Sequence, residues 1–261
     1  MVEVHYHLLF DTDDGPKNIE DSLKLAEASI CEGVTHIACT PHANANYSFD
    51  LQRNKERVAV LQKLLGDRVV LGTGSDFHLS DENIEAFGRA PFKYTINGSR
   101  YLLVEFSDYG IPRSITTVFR GMRSSGVIPV ITHPERNRLI CDDLTCLQEW
   151  MKAGCLIQIT AASLTGRFGK SAQELAEHLL KNNWVHLVAS DAHSIENRPP
   201  ALKGAFDYLR RRFGIETAER LCIRNPKAVF NGEPVSKGYE AVKASSTRRG
   251  YRRLNLNWIF N

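Results

Sequence analysis

The chain has 261 residues, of which 43% are hydrophobic and 24% charged, the composition of a soluble globular protein. Its net charge of +3 is too small to indicate nucleic-acid binding, and no apolar stretch approaches the roughly 20 residues that a membrane-spanning helix needs. The six cysteines show no C-x-x-C spacing, and residues 1–10 lack the features of a signal peptide. We therefore expect reduced thiols, a cytoplasmic location and no membrane insertion.

Short apolar segments alternate with helical patterns along the chain. An apolar strand over 2–8 precedes a helix whose apolar face includes Ile19 and Leu23, and Asn18 and Gly33 are suited to begin and end that helix. The predicted strands are 2–8, 34–39, 69–71, 101–105, 127–131, 155–159 and 185–189, and further helices lie near 50–65, 113–125, 143–153, 171–182 and 199–213. Such alternation implies parallel strands, so we expect a closed or nearly closed α/β barrel, with an open doubly wound sheet as the alternative.

The sequence changes character near residue 236. The last residues include the basic pairs Arg248-Arg249 and Arg252-Arg253 and end in an alternating apolar pattern. We therefore predict a single barrel domain over 1–235 and a basic tail over 236–261. The tail is either a solvated segment or an arm that contacts a partner.

Side chains that can bind a metal lie at the ends of six of the seven predicted strands. Two of them, His5 and His7, lie within the first strand, where residues two apart point to the same face. The others follow or end later strands: Asp14, His42, Asp76, Glu105, His133, Asp191 and His193. Because the carboxyl ends of barrel strands meet on one face, where active sites are built, we expect these nine side chains to converge in one cleft.

The predicted ligands are imidazoles and carboxylates without thiolate, which suits Mn²⁺, Fe²⁺ or Zn²⁺. Nine ligands exceed what one ion takes, so we expect two or three ions that share carboxylates, an arrangement suited to phosphate-ester hydrolysis. Arg136 and Arg198 follow two of the ligands closely and are the candidate catalytic residues, because a guanidinium group matches phosphate oxygens. No cysteine has an arginine six residues later, which argues against a cysteine-dependent phosphatase.

These segments resemble the polymerase and histidinol phosphatase (PHP) superfamily and, within it, the bacterial capsule-type, manganese-dependent protein-tyrosine phosphatases. The resemblance extends in the family's order from residue 2 to about residue 235. The matching stretches are His5-Tyr6-His7, Asp13-Asp14-Gly15-Pro16, Ala38-Cys39-Thr40-Pro41-His42, Tyr101-Leu102-Leu103-Val104-Glu105-Phe106, His133-Pro134-Glu135-Arg136, Leu164-Thr165-Gly166-Arg167-Phe168-Gly169 and Ser190-Asp191-Ala192-His193 with Arg198-Pro199-Pro200.

The resemblance implies a distorted (β/α)₇ barrel, the PHP fold, with three ions at its C-terminal face. The implied ligand groups are His5, His7 and Asp191 for one ion, Glu105 and His133 for a second, and Asp14, His42 and His193 for a third. Asp76 would bridge the first two ions. The family usually has Glu at that position, and the shorter Asp76 leaves His78 as an alternative donor.

The resemblance also implies the activity: hydrolysis of phosphotyrosine on a protein by metal-activated hydroxide, with Arg136 and Arg198 gripping the phosphate. The implied metal is Mn²⁺, with Fe²⁺, Co²⁺ and Zn²⁺ as alternatives. The implied partner is a bacterial tyrosine kinase of exopolysaccharide or capsule synthesis, and the sequence leaves the oligomeric state open. The alternatives are a small-molecule phosphoesterase, such as a histidinol-phosphate phosphatase on the same site, and a phosphotyrosine-binding metalloprotein without turnover.

Overall fold

The computed structural model describes residues 1–112 and 114–236. Apart from Ser236, the predicted basic tail lies outside the described residues, so the domain boundary at residue 235 stays a prediction. None of the described helices is long and apolar enough to cross a membrane.

Parallel strands form the centre of the fold. The described strands are β1 (Val2–Glu3), β2 (His36–Cys39), β3 (His42–Ala43), β4 (Val70–Thr73), β5 (Asp76–His78), β6 (Tyr101–Glu105), β7 (Ile128–Thr132), β8 (Leu156–Thr160) and β9 (Leu187–Ala189). They pair in two all-parallel sheets, β1-β2-β4 and β3-β5-β6-β7-β8-β9. Only two residues separate β2 from β3 and β4 from β5, so each of these pairs is one interrupted strand, and the barrel has seven strand positions.

Hydrogen bonds between the first and last strand positions close the barrel. Tyr6 forms a parallel bridge with Ala192. The His7 amide donates to the Ala192 carbonyl at 3.0 Å, and the Asp191 amide donates to the His5 carbonyl at 3.1 Å. The predicted α/β barrel is therefore confirmed, and the closed ring excludes the open doubly wound sheet. The interruptions of β2–β3 and β4–β5 are the distortion of the barrel.

Helices cover the outside of the barrel and follow the strands in chain order. They are α1 (Ile19–Cys31), α2 (Leu51–Leu65), α3 (Asp81–Arg89), α4 (Ile115–Ser124), α5 (Arg138–Asp142), α6 (Thr145–Lys152), α7 (Ala161–Leu164), α8 (Gly169–Lys181), α9 (Leu202–Phe213), α10 (Ile215–Glu219) and α11 (Asn225–Asn231), with a π-helical turn at Arg220–Arg224. Single 3₁₀ turns lie at Gly66–Arg68, Pro91–Lys93, Ile96–Gly98 and Pro134–Arg136. The predicted N-cap of α1 is confirmed, because the Asn18 side chain accepts a hydrogen bond from the Asp21 amide.

Two hydrophobic clusters lie on opposite faces of the strands. The outer cluster joins residues such as Leu102 and Ile131 to the helices, while Leu103 and Val130, one position away, belong to the inner cluster. Phe230 of α11 joins the inner cluster at the end where the strands begin. The helix α11 thus closes the bottom of the barrel, and the opposite end remains for a site.

The first strand is shorter than predicted because the chain bends after β1, at Val4 and His5. Val4 contacts the inner cluster, and Tyr6 lies in the outer cluster with its hydroxyl donating to the carbonyl of Leu25 in α1. The bend shifts the alternation of faces, as a β-bulge does, so that His5 and His7 point into the barrel. The segment over 2–8 was predicted as one continuous strand. The bend that interrupts it aims both imidazoles at the site.

Candidate metal centre

The structure brings all nine predicted ligands together at the C-terminal ends of the strands. Four groups of side chains have donor atoms within 4.8 Å of one another. They are His7, Asp14, His42 and His193; His5, His7 and Asp76; His5, His133 and Asp191; and His42, Asp76 and Glu105. Because the groups share members, they form one continuous centre rather than separate sites.

The three side chains that the resemblance implied for one ion, His5, His7 and Asp191, have the spacing of ligands around a single ion. Nε2 of His5 and Nε2 of His7 are 3.4 Å apart, and Oδ1 of Asp191 lies 3.3 Å from the first and 3.4 Å from the second. With metal–ligand bonds of about 2.1 Å, neighbouring ligands lie about 3.0 Å apart in octahedral and about 3.4 Å apart in tetrahedral geometry. The residues present therefore fit a divalent ion.

Asp76 is fully buried, and neither of its carboxylate oxygens has a hydrogen-bond partner among the described residues. Its Oδ2 lies 3.5 Å from Nε2 of His5 and 3.2 Å from Nδ1 of His42. Such a carboxylate needs cations around it, because a buried charge without hydrogen bonds is costly. Asp76 belongs to two of the four groups, as expected of a bridging ligand.

Asp76 reaches the centre despite its short side chain, as its distances to His5 and His42 show. A Cβ on Gly74 would lie 3.0 Å from Cγ2 of Thr40 and 3.1 Å from Cγ1 of Ile96, so the backbone is closely packed just before β5 begins at Asp76. The alternative donor His78 lies 3.8 Å from Glu105 and joins none of the ligand groups found among residues 1–112 and 114–236.

The remaining ligands partly follow the grouping that the resemblance implied. Asp14 lies 3.4 Å from His42 and 3.3 Å from His193, which matches the implied third group, and the ring of His7 stacks on His193 at 3.7 Å. Glu105 and His133 are 3.5 Å apart, as the second group requires. The structure adds that His133 also groups with His5 and Asp191, and that Glu105 groups with His42 and Asp76.

Two of the predicted ligands have a left-handed backbone. His133, directly after β7, has φ 34°, and Asp191, just beyond β9, has φ 55°. This region is uncommon for residues other than glycine, and residues in it cluster at functional sites. The turn at each strand end is thereby sharp enough to direct the side chain back over the barrel.

Two residues that the sequence did not assign orient the first pair of histidines. Nδ1 of His7 lies 2.6 Å from Oδ2 of Asp13, and Nδ1 of His5 lies 2.9 Å from Oε1 of Gln158. A partner at Nδ1 sets the tautomer that leaves Nε2 free for a metal. Asp13 also accepts hydrogen bonds from the amides of Gly15 and His42. Its position beside Asp14 was a signal in the sequence, whereas a glutamine inside a strand gives none.

The charges of the centre shift the pKa values of its groups in opposite directions. Burial lowers the pKa of His133 to about 3, with Arg136 contributing, and burial together with His7 lowers that of His193 to about 4. Burial opposes ionisation of Asp191, but His5 and the other cationic groups around it outweigh burial and hold its pKa well below its usual range. Asp191 in its ionised form, and His133 and His193 in their neutral form, are thus in the protonation states that metal binding requires.

Both predicted arginines reach the centre through Asp191. Nη1 of Arg136 donates to Oδ2 of Asp191 at 2.5 Å, and Nη2 of Arg198 donates to the same oxygen. Nη1 of Arg198 also lies 3.0 Å from Nε2 of His193. Asp191 thus turns one oxygen to the histidines and the other to the arginines, which places two guanidinium groups beside the ligand cluster.

A small cavity of about 110 Å³ adjoins the centre on the side of Arg136. Its walls include Glu105, His133 and Arg136, together with Asp108 and Asn137. Pockets that enclose a small organic ligand are typically about 300–1,000 Å³. The cavity is therefore large enough for a phosphoryl group and smaller than such a pocket.

Five of the six cysteines have raised pKa values, which disfavours nucleophilic attack by them. Burial raises the pKa of Cys155 to about 12, and burial, with Glu135 adding, raises that of Cys141 to about 11. The thiolate, not the thiol, is the nucleophile, so these groups are unreactive near neutral pH. This agrees with the absence of a cysteine–arginine loop motif in the sequence.

The chain is similar to known proteins over most of its length. A family model described as capsular polysaccharide synthesis, CpsB/CapC, matches residues 1–231. A putative tyrosine-protein phosphatase CapC of Staphylococcus aureus is 38% identical over 91% of this chain and 94% of its own length. The tyrosine-protein phosphatase CpsB of Streptococcus pneumoniae is 30% identical over 88% of this chain and 98% of its own length.

A solved structure shows the same fold. It comes from work on YwqE from Bacillus subtilis and CpsB from Streptococcus pneumoniae, described as unique metal-dependent tyrosine phosphatases. It superposes with a TM-score of 0.85 at 30% identity and covers 91% of this chain and 97% of the other.

Proposed function

The chain belongs to the CpsB/CapC family, and we propose that it is a metal-dependent tyrosine-protein phosphatase that acts in capsular polysaccharide synthesis. One observation carries the proposal: Asp76, a fully buried carboxylate without hydrogen-bond partners, lies among eight further His, Asp and Glu ligands. Two arginines lie beside that cluster. Hydrolysis of a phosphate ester needs cations around the transferred group, and this arrangement supplies them.

The nine ligands would hold two to three divalent ions, with Asp76 shared between two of them. We favour Mn²⁺, since carboxylate and imidazole donors without thiolate suit it, while Fe²⁺, Co²⁺ and Zn²⁺ bind similar sets. When bound, the ions supply Lewis-acid polarisation of the phosphoryl group and a water acidic enough to attack near neutral pH.

The chain's own residues bind and orient the substrate. Arg136 and Arg198 each direct one N–H to Asp191, and a guanidinium group has five donors, so further N–H groups remain for phosphoryl oxygens. Asp13 and Gln158 keep Nε2 of His7 and of His5 turned inward. The phenolate of tyrosine is the conjugate base of an acid with a pKa of about 10, so it leaves with less help from a general acid than an alkoxide does.

The cavity beside Arg136 is suited to a phosphoryl group that is carried on a protein. Its volume of about 110 Å³ accepts a phosphoryl group that projects from a peptide. The tyrosine kinase of capsule or exopolysaccharide synthesis is the substrate that we propose on the family's assignment to capsular polysaccharide synthesis.

The test is hydrolysis of p-nitrophenyl phosphate and of a phosphotyrosyl peptide with added Mn²⁺, alongside metal analysis. We expect His133→Ala to reduce kcat/KM at least about 100-fold and His178→Ala, the same change at an exposed position, to leave it unchanged. A chain that binds metal but hydrolyses neither substrate would refute the phosphatase function. Faster hydrolysis of histidinol phosphate than of the phosphopeptide would refute the tyrosine specificity.

A further inference from the structure

The loop over residues 165–169 supplies none of the nine candidate metal ligands. Phe168 of this loop contacts Arg136, and Arg167 contacts the backbone that precedes Arg198. We propose that this loop, the 165–169 loop, positions Arg136 and Arg198 for binding phosphoryl oxygens, an inference that rests on the proposed phosphatase function. The side chains of Arg167 and Phe168 contact backbone carbonyls and Arg136 rather than candidate metal ligands, so both are positioning residues rather than catalytic ones.

Phe168 supports Arg136 through the face of its ring. The guanidinium carbon lies 4.2 Å from the ring centroid, a cation–π contact. Nη1 of Arg136 donates to Asp191 at 2.5 Å and to Oγ1 of Thr160 at 3.3 Å. Stacking uses the flat face of a guanidinium group and leaves its in-plane donors free, so Phe168 can fix the plane without occupying the N–H groups that a phosphate needs.

Arg167 supports the turn that leads to Arg198. Its Nη2 donates to the carbonyl of Asn197 at 2.7 Å and reaches that of Glu196 at 3.4 Å. The turn itself is closed by an antiparallel bridge between Ser194 and Arg198. The hydrogen bonds from Arg167 to the carbonyls of Glu196 and Asn197 therefore limit where the side chain of the next residue, Arg198, can lie.

Backbone hydrogen bonds of the 165–169 loop hold Arg167 and Phe168 in place together. The amide of Arg167 donates to the carbonyl of Ala162 at 3.1 Å, and the amide of Gly169 donates to that of Gly166 at 3.0 Å. Gly166 and Gly169 have φ of 82° and 88°, which favours glycine at both ends. Because Arg167 and Phe168 are adjacent on this hydrogen-bonded turn, one loop conformation sets the support of both arginines.

The test compares Phe168→Leu, which keeps an apolar side chain but removes the aromatic face, with Phe168→Tyr, which restores the face. The probe is inorganic phosphate, titrated calorimetrically into the Mn²⁺-loaded protein, with KM and kcat for p-nitrophenyl phosphate measured in parallel. We expect Phe168→Leu to weaken phosphate binding about three- to tenfold and Phe168→Tyr to restore it to within about twofold. Phe92→Leu, the same change at a half-exposed aromatic residue of the Pro91–Lys93 turn, should have no effect.

Double variants separate positioning from a general effect on the fold. In an Arg136→Ala background Phe168→Leu should add no further loss, and in an Arg198→Ala background Arg167→Gln should add none. Metal content and Tm of Phe168→Leu should match those of the parent protein. Equal losses with and without Arg136, or a Phe168→Tyr variant as weak as Phe168→Leu, would overturn the inference. If the parent protein binds phosphate but hydrolyses no aryl phosphate, the proposed function fails while the binding comparison still tests the loop.

Discussion

Metal binding to this centre should compete with protons, because two of its histidines are strongly basic in the folded chain. Burial opposes the charge on His5, but Asp191 and Asp76 outweigh burial and raise its pKa to about 9. Burial is likewise outweighed at His42, where Asp14 and Asp76 raise the pKa to about 11. Each imidazolium must lose its proton before it can bind an ion.

The cost of removing these protons sets the size of the effect. A group whose pKa is about two units above the solution pH loses its proton at a cost of about 2.7 kcal/mol. Between about pH 7 and pH 9 the affinity for an ion that His5 or His42 binds should therefore rise about tenfold per pH unit, because one proton is displaced from that histidine. Calorimetric titration with Mn²⁺ in two buffers of different ionisation enthalpy counts the released protons.

The same shifts predict how the metal-free protein responds to pH. A raised folded-state pKa stabilises the fold fully below the unfolded value of about 6.5, and this contribution is lost as the pH rises through about 9 for His5 and about 11 for His42. The metal-free protein should therefore lose stability at alkaline pH, where the Mn²⁺-loaded protein keeps it. A metal affinity independent of pH, with no proton release on binding, would refute the reasoning.

Further substitutions test single elements of the site. Asp76→Asn removes the carboxylate that two ligand groups share, so metal analysis should find at least one ion fewer per chain, and full metal content would contradict the bridging assignment. Asp13→Asn weakens the support of His7 and should lower Mn²⁺ affinity about 10- to 100-fold in a chelator competition. Arg136→Lys loses the guanidinium fork and should reduce kcat/KM about 10- to 100-fold with unchanged metal content. Cys141→Ser should leave kcat/KM within about twofold of the parent value, and a larger loss would reopen thiol chemistry.

The strands were predictable where an apolar run is buried on both faces. The predicted strand over 101–105 coincides with β6, and the predicted helix near 50–65 matches α2 to within a residue. Helix α3 was missed, although Ser80 caps it by accepting from the Asn83 amide, because its mixed composition shows only a short apolar face. The bend after β1 was also missed, since no local pattern indicates it; it lies beside the Tyr6–Ala192 bridge, which joins residues far apart in the sequence.

By itself the sequence determined which residues can bind metal and phosphate, because their chemistry and their places at strand ends are local properties. Only the tertiary structure decided how those residues combine. Asp191 turns one oxygen to His5 and the other to Arg136, and Gln158 fixes the ring of His5 from a strand distant in the sequence. These contacts join positions far apart in the chain, so they depend on the closure and register of the barrel, which the order of residues does not reveal segment by segment.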